Sequence, residues 1–359
     1  MKKVYILHEY GEPRHFKAVD YLKEKGKLDE IIYLEFNVIK AFMKGIIKFE
    51  INKSLRAIRN LILIIKLLFL RNQNIILGMA PYDKFIFIAN ILANKHDIFY
   101  FTSWPYWGRN KQPKNYLIGN KIIYKQWERF LQKVKKVTVT KKAGEELKRN
   151  GFGNFIYNIP HCVEVERFYP RNDFLEFNKK ELKVLYVGRL VEEKGLQYIK
   201  EVIYLLSKED FEFNIVGDGP DKDILDEVFL LSNVNYFGKV KDKNKLARIF
   251  RNNDMLILPS YEIDIWEELF GIVIIEAMAS GLTVISTDCI GPKEIIDNNI
   301  NGFLIPQKNS VILKERLEKV YNNRDLLNHL KKNAFEKAMK EYKVEVCAHE
   351  WEKALGINK

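Results

Sequence analysis

The sequence predicts an α/β protein made of two Rossmann-like, doubly wound parallel sheets, and three features predict it. Short apolar runs rich in Ile, Val, Tyr and Phe alternate with amphipathic stretches along the chain, the pattern of β-α units that wind into parallel sheets. The alternation restarts near Lys183, which calls for a second sheet. Between the halves lies Phe168–Lys180, polar and interrupted by Pro170, which reads as an interdomain linker. A chain of 359 residues with 47% hydrophobic composition can bury two cores. Two domains of this kind usually take a ligand in the central cleft they face, outside the carboxyl ends of the strands.

The first half places strands at Lys3–His8, Ile31–Glu35, Asn74–Gly78, Asp97–Thr102, Lys136–Thr140 and Asn154–Ile159, with helices such as Phe16–Lys25 and Phe85–Asn94 between them. The second half places strands at Lys183–Val187, Glu212–Val216, Val234–Phe237, Met255–Leu258, Thr283–Ser286 and Phe303–Ile305. Helices are expected there at Gly195–Leu206, Pro220–Leu231, Lys243–Arg251 and Gly271–Ala279, and a last one at Leu326–Leu355. The expected domains are a Rossmann-like unit over 1–175, a second over 176–340, and a terminal helix over 341–359 packing back on the first domain.

Composition excludes several classes. Three scattered cysteines, Cys162, Cys289 and Cys347, make neither a disulfide framework nor a CxxC site. The six histidines form no HxxxH or HExxH pair, so no metal is expected. The start of the chain, MKKVYILHEYGEP, does not look like a signal peptide, and no uncharged run reaches the length of a membrane span. Those features favour a cytoplasmic protein.

Charge is unevenly placed. Residues 1–175 hold 32 Lys and Arg against 16 Asp and Glu, while residues 176–359 hold 27 against 31. The excess concentrates in Phe36–Asn72, with eight basic residues and one acidic, and in Arg109–Lys136, with nine and one. Basic helices interleaved with Ile, Leu and Phe lie on anionic bilayers, so Phe36–Asn72 is expected to touch an anionic membrane surface from the cytoplasmic side. Nucleic acid is not an expected partner, since no recognition motif accompanies the charge.

Three segments carry candidate chemistry. In VGRLVEEKG (Val187–Gly195) a strand ends at a glycine, and Arg189 and Lys194 follow, an arrangement that suits a diphosphate. In IVGDGP (Ile215–Pro220) Gly217 and Asp218 turn a second strand, without the third glycine of a dinucleotide fingerprint. The third runs from Leu258 to Gly281, LPSYEIDIWEELFGIVIIEAMASG. Glu268 stands before a helix opened by Phe270 and Gly271, and Glu276 lies within it. At helical spacing throughout, the two carboxylates would share nearly one face. Glu276 among Ile272, Val273, Ile274 and Ile275 needs a partner, and sugar or ribose hydroxyls would serve, as would a structural ion pair.

The order GR-x4-KG, VGDGP, then E-x7-E spanning Glu268 to Glu276, with Phe237–Gly238 and Gly291–Asp297 leading to Asn301–Gly302, resembles family-four retaining glycosyltransferases of the GT-B fold, within glycosyl transferases group 1. The resemblance is dense over residues 183–305 and looser before them. It implies that Arg189 and Lys194 bind the diphosphate of a nucleoside-diphosphate sugar and that Glu268 contacts the donor sugar. It also implies that Gly188, Gly217, Asp218, Phe270, Gly271 and Ile272 line the donor site, that Glu276 holds the ribose, and that no metal is needed. Such an enzyme would pass a hexose-type sugar to a glycan or lipid-linked acceptor in polysaccharide or glycolipid synthesis.

The chain departs from the family pattern mainly on the acceptor side. The Gly-Gly loop is replaced by His8–His15, the NGVD-like turn reads His161–Glu164, Thr283 replaces a proline, and Phe101–Trp107 has no matching histidine. His8, Gly11, Ser103 and Trp104 are the expected acceptor-side residues, and Trp104, Tyr106 and Trp107 are candidates to stack on a sugar or to fill a core. A GT-B sugar-nucleotide epimerase and a non-catalytic nucleotide-sugar-binding protein share most of these residues.

Overall fold

The computed structural model describes residues 2–9, 11, 14–107, 121–172 and 181–357. The first part of the basic stretch Arg109–Lys136 and the end of the linker at Lys180 therefore lie outside the described residues. The described residues form two compact units: residues 1–161 with 347–359, and residues 162–346.

The N-terminal unit is a parallel sheet of six strands, β1 (Lys3–His8), β2 (Glu30–Glu35), β3 (Asn74–Gly78), β4 (Asp97–Thr102), β5 (Lys135–Thr138) and β6 (Ile156–Asn158), in the order β2-β1-β3-β4-β5-β6. Its central strands read as unbroken apolar runs because helices cover both faces. Val4, Ile6, Leu7, Ile76, Leu77 and Phe99 are wholly or almost wholly buried. The helices are α1 (Lys17–Glu24), α2 (Val38–Ile47), α3 (Ile51–Phe69), α4 (Ile86–Ala93), α5 (Lys121–Lys133) and α6 (Lys141–Arg149). Thr140 starts α6 by accepting the Ala143 N–H on its hydroxyl.

The second sheet holds β7 (Leu182–Val187), β8 (Phe211–Val216), β9 (Val234–Tyr236), β10 (Met255–Leu258), β11 (Thr283–Thr287) and β12 (Gly302–Ile305), in the order β12-β11-β10-β7-β8-β9, again all parallel. Around it lie α7 (Leu196–Leu205), α8 (Lys243–Arg251), α9 (Ile272–Ala279), α10 (Ile290–Ile295), α11 (Ser310–Asn322) and α12 (Arg324–Lys337), and α13 (Val344–Leu355) leads out of the unit. Asp254, before β10, is almost wholly buried. It accepts the Lys183 N–H and meets Arg171 at 3.2 Å and Lys331 at 3.6 Å, so its charge is compensated inside the unit.

Three expectations need correction. The segment expected to form a helix at Pro220–Leu231 makes two short 3-10 turns, Lys222–Leu225 and Val228–Leu230. Leu225, at the end of the first turn, and Val228, at the start of the second, are its residues buried in the core. The long last helix breaks at a π turn, Ala338–Tyr342, because Lys343 adopts extended backbone and bridges to Val163. The chain passes between units at His161 and Cys162, upstream of position 175, since Glu164 already pairs with Lys243 and Val163 with Tyr342. Residues 347–359 return to the N-terminal unit, where Trp351 packs on Phe16 and Phe101. Among the described residues, no helix is long and apolar enough to cross a membrane.

Candidate functional site

In a doubly wound sheet the ligand crevice opens where the strand order reverses. In the second sheet that point lies between β7 and β10. The loops leaving their carboxyl ends run from Gly188 to Gly195 and from Pro259 to Gly271, the two segments with the strongest sequence signal.

Close backbone approach holds these loops together. Gly195 has φ 79°, and a Cβ there would lie 2.1 Å from the carbonyl oxygen of Pro259. Gly217, at φ 150°, would place a Cβ 1.8 Å from the carbonyl oxygen of Gly188. Backbone bonds complete the join: Gly188 N–H donates to Val216, Leu190 N–H to Asp218 and Tyr261 N–H to Glu193. Asp218 spends its side chain on the Gly219 N–H, at 2.9 Å, and stays exposed. The Tyr186 hydroxyl donates to the Arg189 carbonyl, and burial together with the nearby Glu268 and Glu193 charges pushes its pKa up, so it stays a neutral donor.

On this frame the Lys194 ammonium meets the Glu268 carboxylate at 2.5 Å and lies 4.6 Å from the Trp266 ring centre. Both charged side chains are largely shielded, at 17% and 13% exposure, which strengthens their attraction relative to water. Arg189 differs: its side chain is 68% exposed and leans on Glu193 at 3.5 Å. The structure therefore brings Lys194 and Glu268 together and leaves the Arg189 guanidinium at the surface beside them.

Phe270 is buried and Gly271, at φ 88°, opens α9. The N-cap, Gly271, has no side chain with which to cap the helix, so the first N–H groups, at Ile272 and Val273, keep their capacity for an anion, while the Ile274 N–H donates to the Gly271 carbonyl at 2.9 Å. Gly271 also corrects the expected geometry. It interrupts helical spacing between Glu268, which belongs to the loop, and Glu276, which lies on the second turn of α9 and is half-buried.

Two residues of the site escaped sequence reasoning. Glu267, 7% exposed, accepts the Ile290 N–H at 2.8 Å, while the Glu268 carbonyl accepts the Gly291 N–H; together they pin the loop to α10. In the run EE nothing separates the carboxylate that anchors the loop from the one that meets Lys194. Trp266, under Lys194, had no spacing signal. Nearby, burial and the Glu267 and Glu268 charges push the Cys289 thiol up to about 11, so it is inert at neutral pH.

In the N-terminal unit the strand order reverses between β1 and β3. His8 ends β1 and packs 5.9 Å from His15, which packs 5.0 Å from His161. Gly11, at φ 76°, donates its N–H to the His8 carbonyl, and Ser103 is half-buried after β4. Trp104 and Trp107 are buried, at 7% and 4% exposure, and Trp107 stacks among Tyr82, Tyr100 and Trp127, so these rings fill the core and leave Tyr106 half-exposed. Sequence spacing gave no hint of the His8–His15–His161 cluster, because His161 arrives from the far end of the sheet.

Burial, then repulsion from His15, lowers His8 to about 4 and His161 to about 3, and burial lowers His15. An imidazole held neutral in the fold does not take the proton that the unfolded chain accepts near pH 6.5. The stability it contributes is full above that pH and is lost as pH falls toward about 4. For one such group the loss is on the order of 3 kcal/mol. The unfolding midpoint should drop between pH 7 and 4.5, less steeply in His15→Phe; equal slopes in the two proteins would contradict a neutral cluster.

With this geometry in place the chain can be set beside known proteins. Residues 171–337 match the family described as Glycosyl transferases group 1. The match covers just under half of the chain. The matched segment contains both loops of the β7–β10 crevice. A Klebsiella pneumoniae protein described as an uncharacterized 41.2 kDa protein in the cps region is 34% identical over 36% of this chain and 34% of its own. A Campylobacter jejuni N,N'-diacetylbacillosaminyl-diphospho-undecaprenol alpha-1,3-N-acetylgalactosaminyltransferase is 28% identical over 58% of this chain and 51% of its own. The chain spans only about a third to just over half of the length of the curated relatives it matches. An Anabaena protein solved in complex with UDP-glucose is 13% identical, with a TM-score of 0.70 over 99% of this chain and 100% of that one. Its likeness concerns the fold: the two six-stranded parallel sheets are those of the GT-B class.

Proposed function

We propose that the protein is a retaining, metal-independent glycosyltransferase that moves a hexose-type sugar from a nucleoside diphosphate to a glycan or lipid-linked acceptor, in cell-surface polysaccharide or glycolipid synthesis. The observation that carries this reading is the shielded Lys194–Glu268 pair at the β7–β10 reversal, within the loop that opens onto the uncapped start of α9. Lys194 supplies a positive charge for the donor diphosphate, and Arg189, exposed beside it, closes over the same group. Gly188, Gly217 and Asp218 line the approach, and Phe270, Gly271 and Ile272 offer backbone N–H groups. Glu268 takes donor-sugar hydroxyls and Glu276 the ribose. The Campylobacter relative is named for an undecaprenol-diphosphate-linked substrate, which supports a lipid-linked acceptor.

In the reaction the bond from the sugar's anomeric carbon to the diphosphate oxygen breaks, and the bond to the acceptor oxygen forms on the same face. The acceptor's proton passes to the departing diphosphate oxygen. The protein's part is to position both partners and stabilise the charge gathering on the leaving group.

Thermal unfolding of the EDTA-treated protein tests the reading, with UDP, GDP, ADP, CMP or NAD added in turn, for the wild type and Arg189→Ala. One nucleoside diphosphate should raise the midpoint and Arg189→Ala should weaken that rise. Stabilisation by NAD alone, or by nothing, would overturn it. Turnover of the matching sugar donor without any acceptor, by isomerisation, would reassign the site to an epimerase.

A further inference from the structure

The hairpin of α2 and α3 carries two apolar faces, and the core uses only one. On α3 the buried residues are Ala57, Asn60, Ile64 and Leu67. On the opposite side Ile51, Leu55, Ile58, Ile62, Ile65 and Phe69 follow one another at helical spacing and are all exposed. At about 100° per residue they fall within an arc of about 80°, centred roughly half a turn from the buried set. On α2 Ile39, Met43 and Ile47 repeat the pattern, while Ala41 and Gly45 face inward. Between the helices Phe49 stands 92% exposed at the tip of the hairpin.

The hairpin is a built element. A Cβ on Gly45 would meet the Ser54 hydroxyl at 2.3 Å, so the helices touch closely, and Phe36, ahead of α2, stacks on Phe85 at 4.4 Å. Its outward stripe is therefore held in place.

Charge says what covers it. Lys40 and Lys44 border the α2 stripe, Arg59 and Lys66 border that of α3, and all four are exposed. The acidic residue of the segment, Glu50, is tied to Lys53 at 3.2 Å. A protein interface is depleted in lysine. Lysine and arginine stems beside an apolar stripe instead match the boundary between acyl chains and lipid phosphates. We propose that the α2–α3 hairpin docks on an anionic lipid bilayer, with its exposed apolar stripes at the acyl boundary and its basic side chains among the phosphates. The proposal deepens the membrane-facing side of the function above and names its partner.

Flotation of the full-length protein with phosphatidylcholine vesicles, with and without phosphatidylglycerol, tests this. Binding should require the anionic lipid and fall at least roughly tenfold in the triple variant Lys40→Glu, Lys44→Glu, Lys66→Glu. It should fall likewise in Ile47→Asp, Phe49→Asp, Ile51→Asp, all exposed positions. Both variants should keep the wild-type midpoint and nucleoside-diphosphate stabilisation, which separates this test from that of the donor site. Absence of vesicle binding by the wild type, or equal binding to neutral vesicles, overturns the proposal. So does a wild-type dimer that the aspartate variant converts to monomer while neither protein floats, which would make the stripe a contact between copies.

Discussion

Lys194→Ala is expected to remove most transfer activity, lowering kcat roughly 10²- to 10³-fold, the loss typical of deleting one preorganised donor to a developing anion. Lys194 reaches its place at the end of a tight turn, Glu192–Lys194, closed by Gly195 and clamped by Tyr261, whose hydroxyl donates to Glu192 at 2.9 Å. The present partner of Lys194 makes the complementary test sharper. Glu268→Gln keeps the shape of the contact and removes the charge opposing Lys194. Nucleoside-diphosphate affinity should hold or improve, while kcat falls because the sugar loses its carboxylate. Equal losses of binding and turnover in Glu268→Gln would show that the pair only braces the loop.

Gly195→Ala should be among the most damaging changes of a single methyl group. The residue is left-handed, and the new Cβ would stand 2.1 Å from a backbone oxygen of Pro259, which no rotamer can relieve. Left-handed strain alone costs roughly 1–2 kcal/mol, and the clash must also move β10's exit loop. We expect a loss of about 3 kcal/mol or more in the stability of the C-terminal unit, together with loss of the nucleoside-diphosphate shift. Thermal and denaturant unfolding followed with and without ligand measure both. An unfolding midpoint and ligand shift equal to the wild type would mean that the two loops are not held by this crossing.

The strands were legible because a parallel sheet covered on both faces writes itself as apolar runs, as in Lys3–His8, Asn74–Gly78 and Met255–Leu258, each observed with the bounds expected. Helix ends and breaks were less so. Lys343 is extended because Val163 pairs with it from 180 positions away, and no local pattern around Lys343 announces that. The candidate site was legible as a list of residues but not as an arrangement. Glu268 falls before α9 and Glu276 within it, as the sequence suggested, but the left-handed Gly271 breaks the helical spacing that would have set both carboxylates on one face. The roles of Glu267 and Glu268 diverge for a similar reason: the first is turned toward the Ile290 N–H and the second toward Lys194, a difference that follows from the path of the loop. Arg189 and Lys194 also part, one solvent-facing and one shielded, although both follow the same strand. The His8–His15–His161 cluster had no local trace, since the fold brings its third member across the sheet.

The return of residues 347–359 to the N-terminal unit bears on the order in which a ribosome delivers the parts. Residues 2–161 emerge first but lack the piece that covers Phe16 and Phe101, because Trp351 comes nearly two hundred residues later. Until then the nascent sheet keeps an uncovered aromatic face, while the intervening unit, contiguous from Cys162 to Val346, can close on its own. The half of the chain made first is thus the half completed last, and a shortened protein ending before Cys347 should burden chaperones through its early-made half.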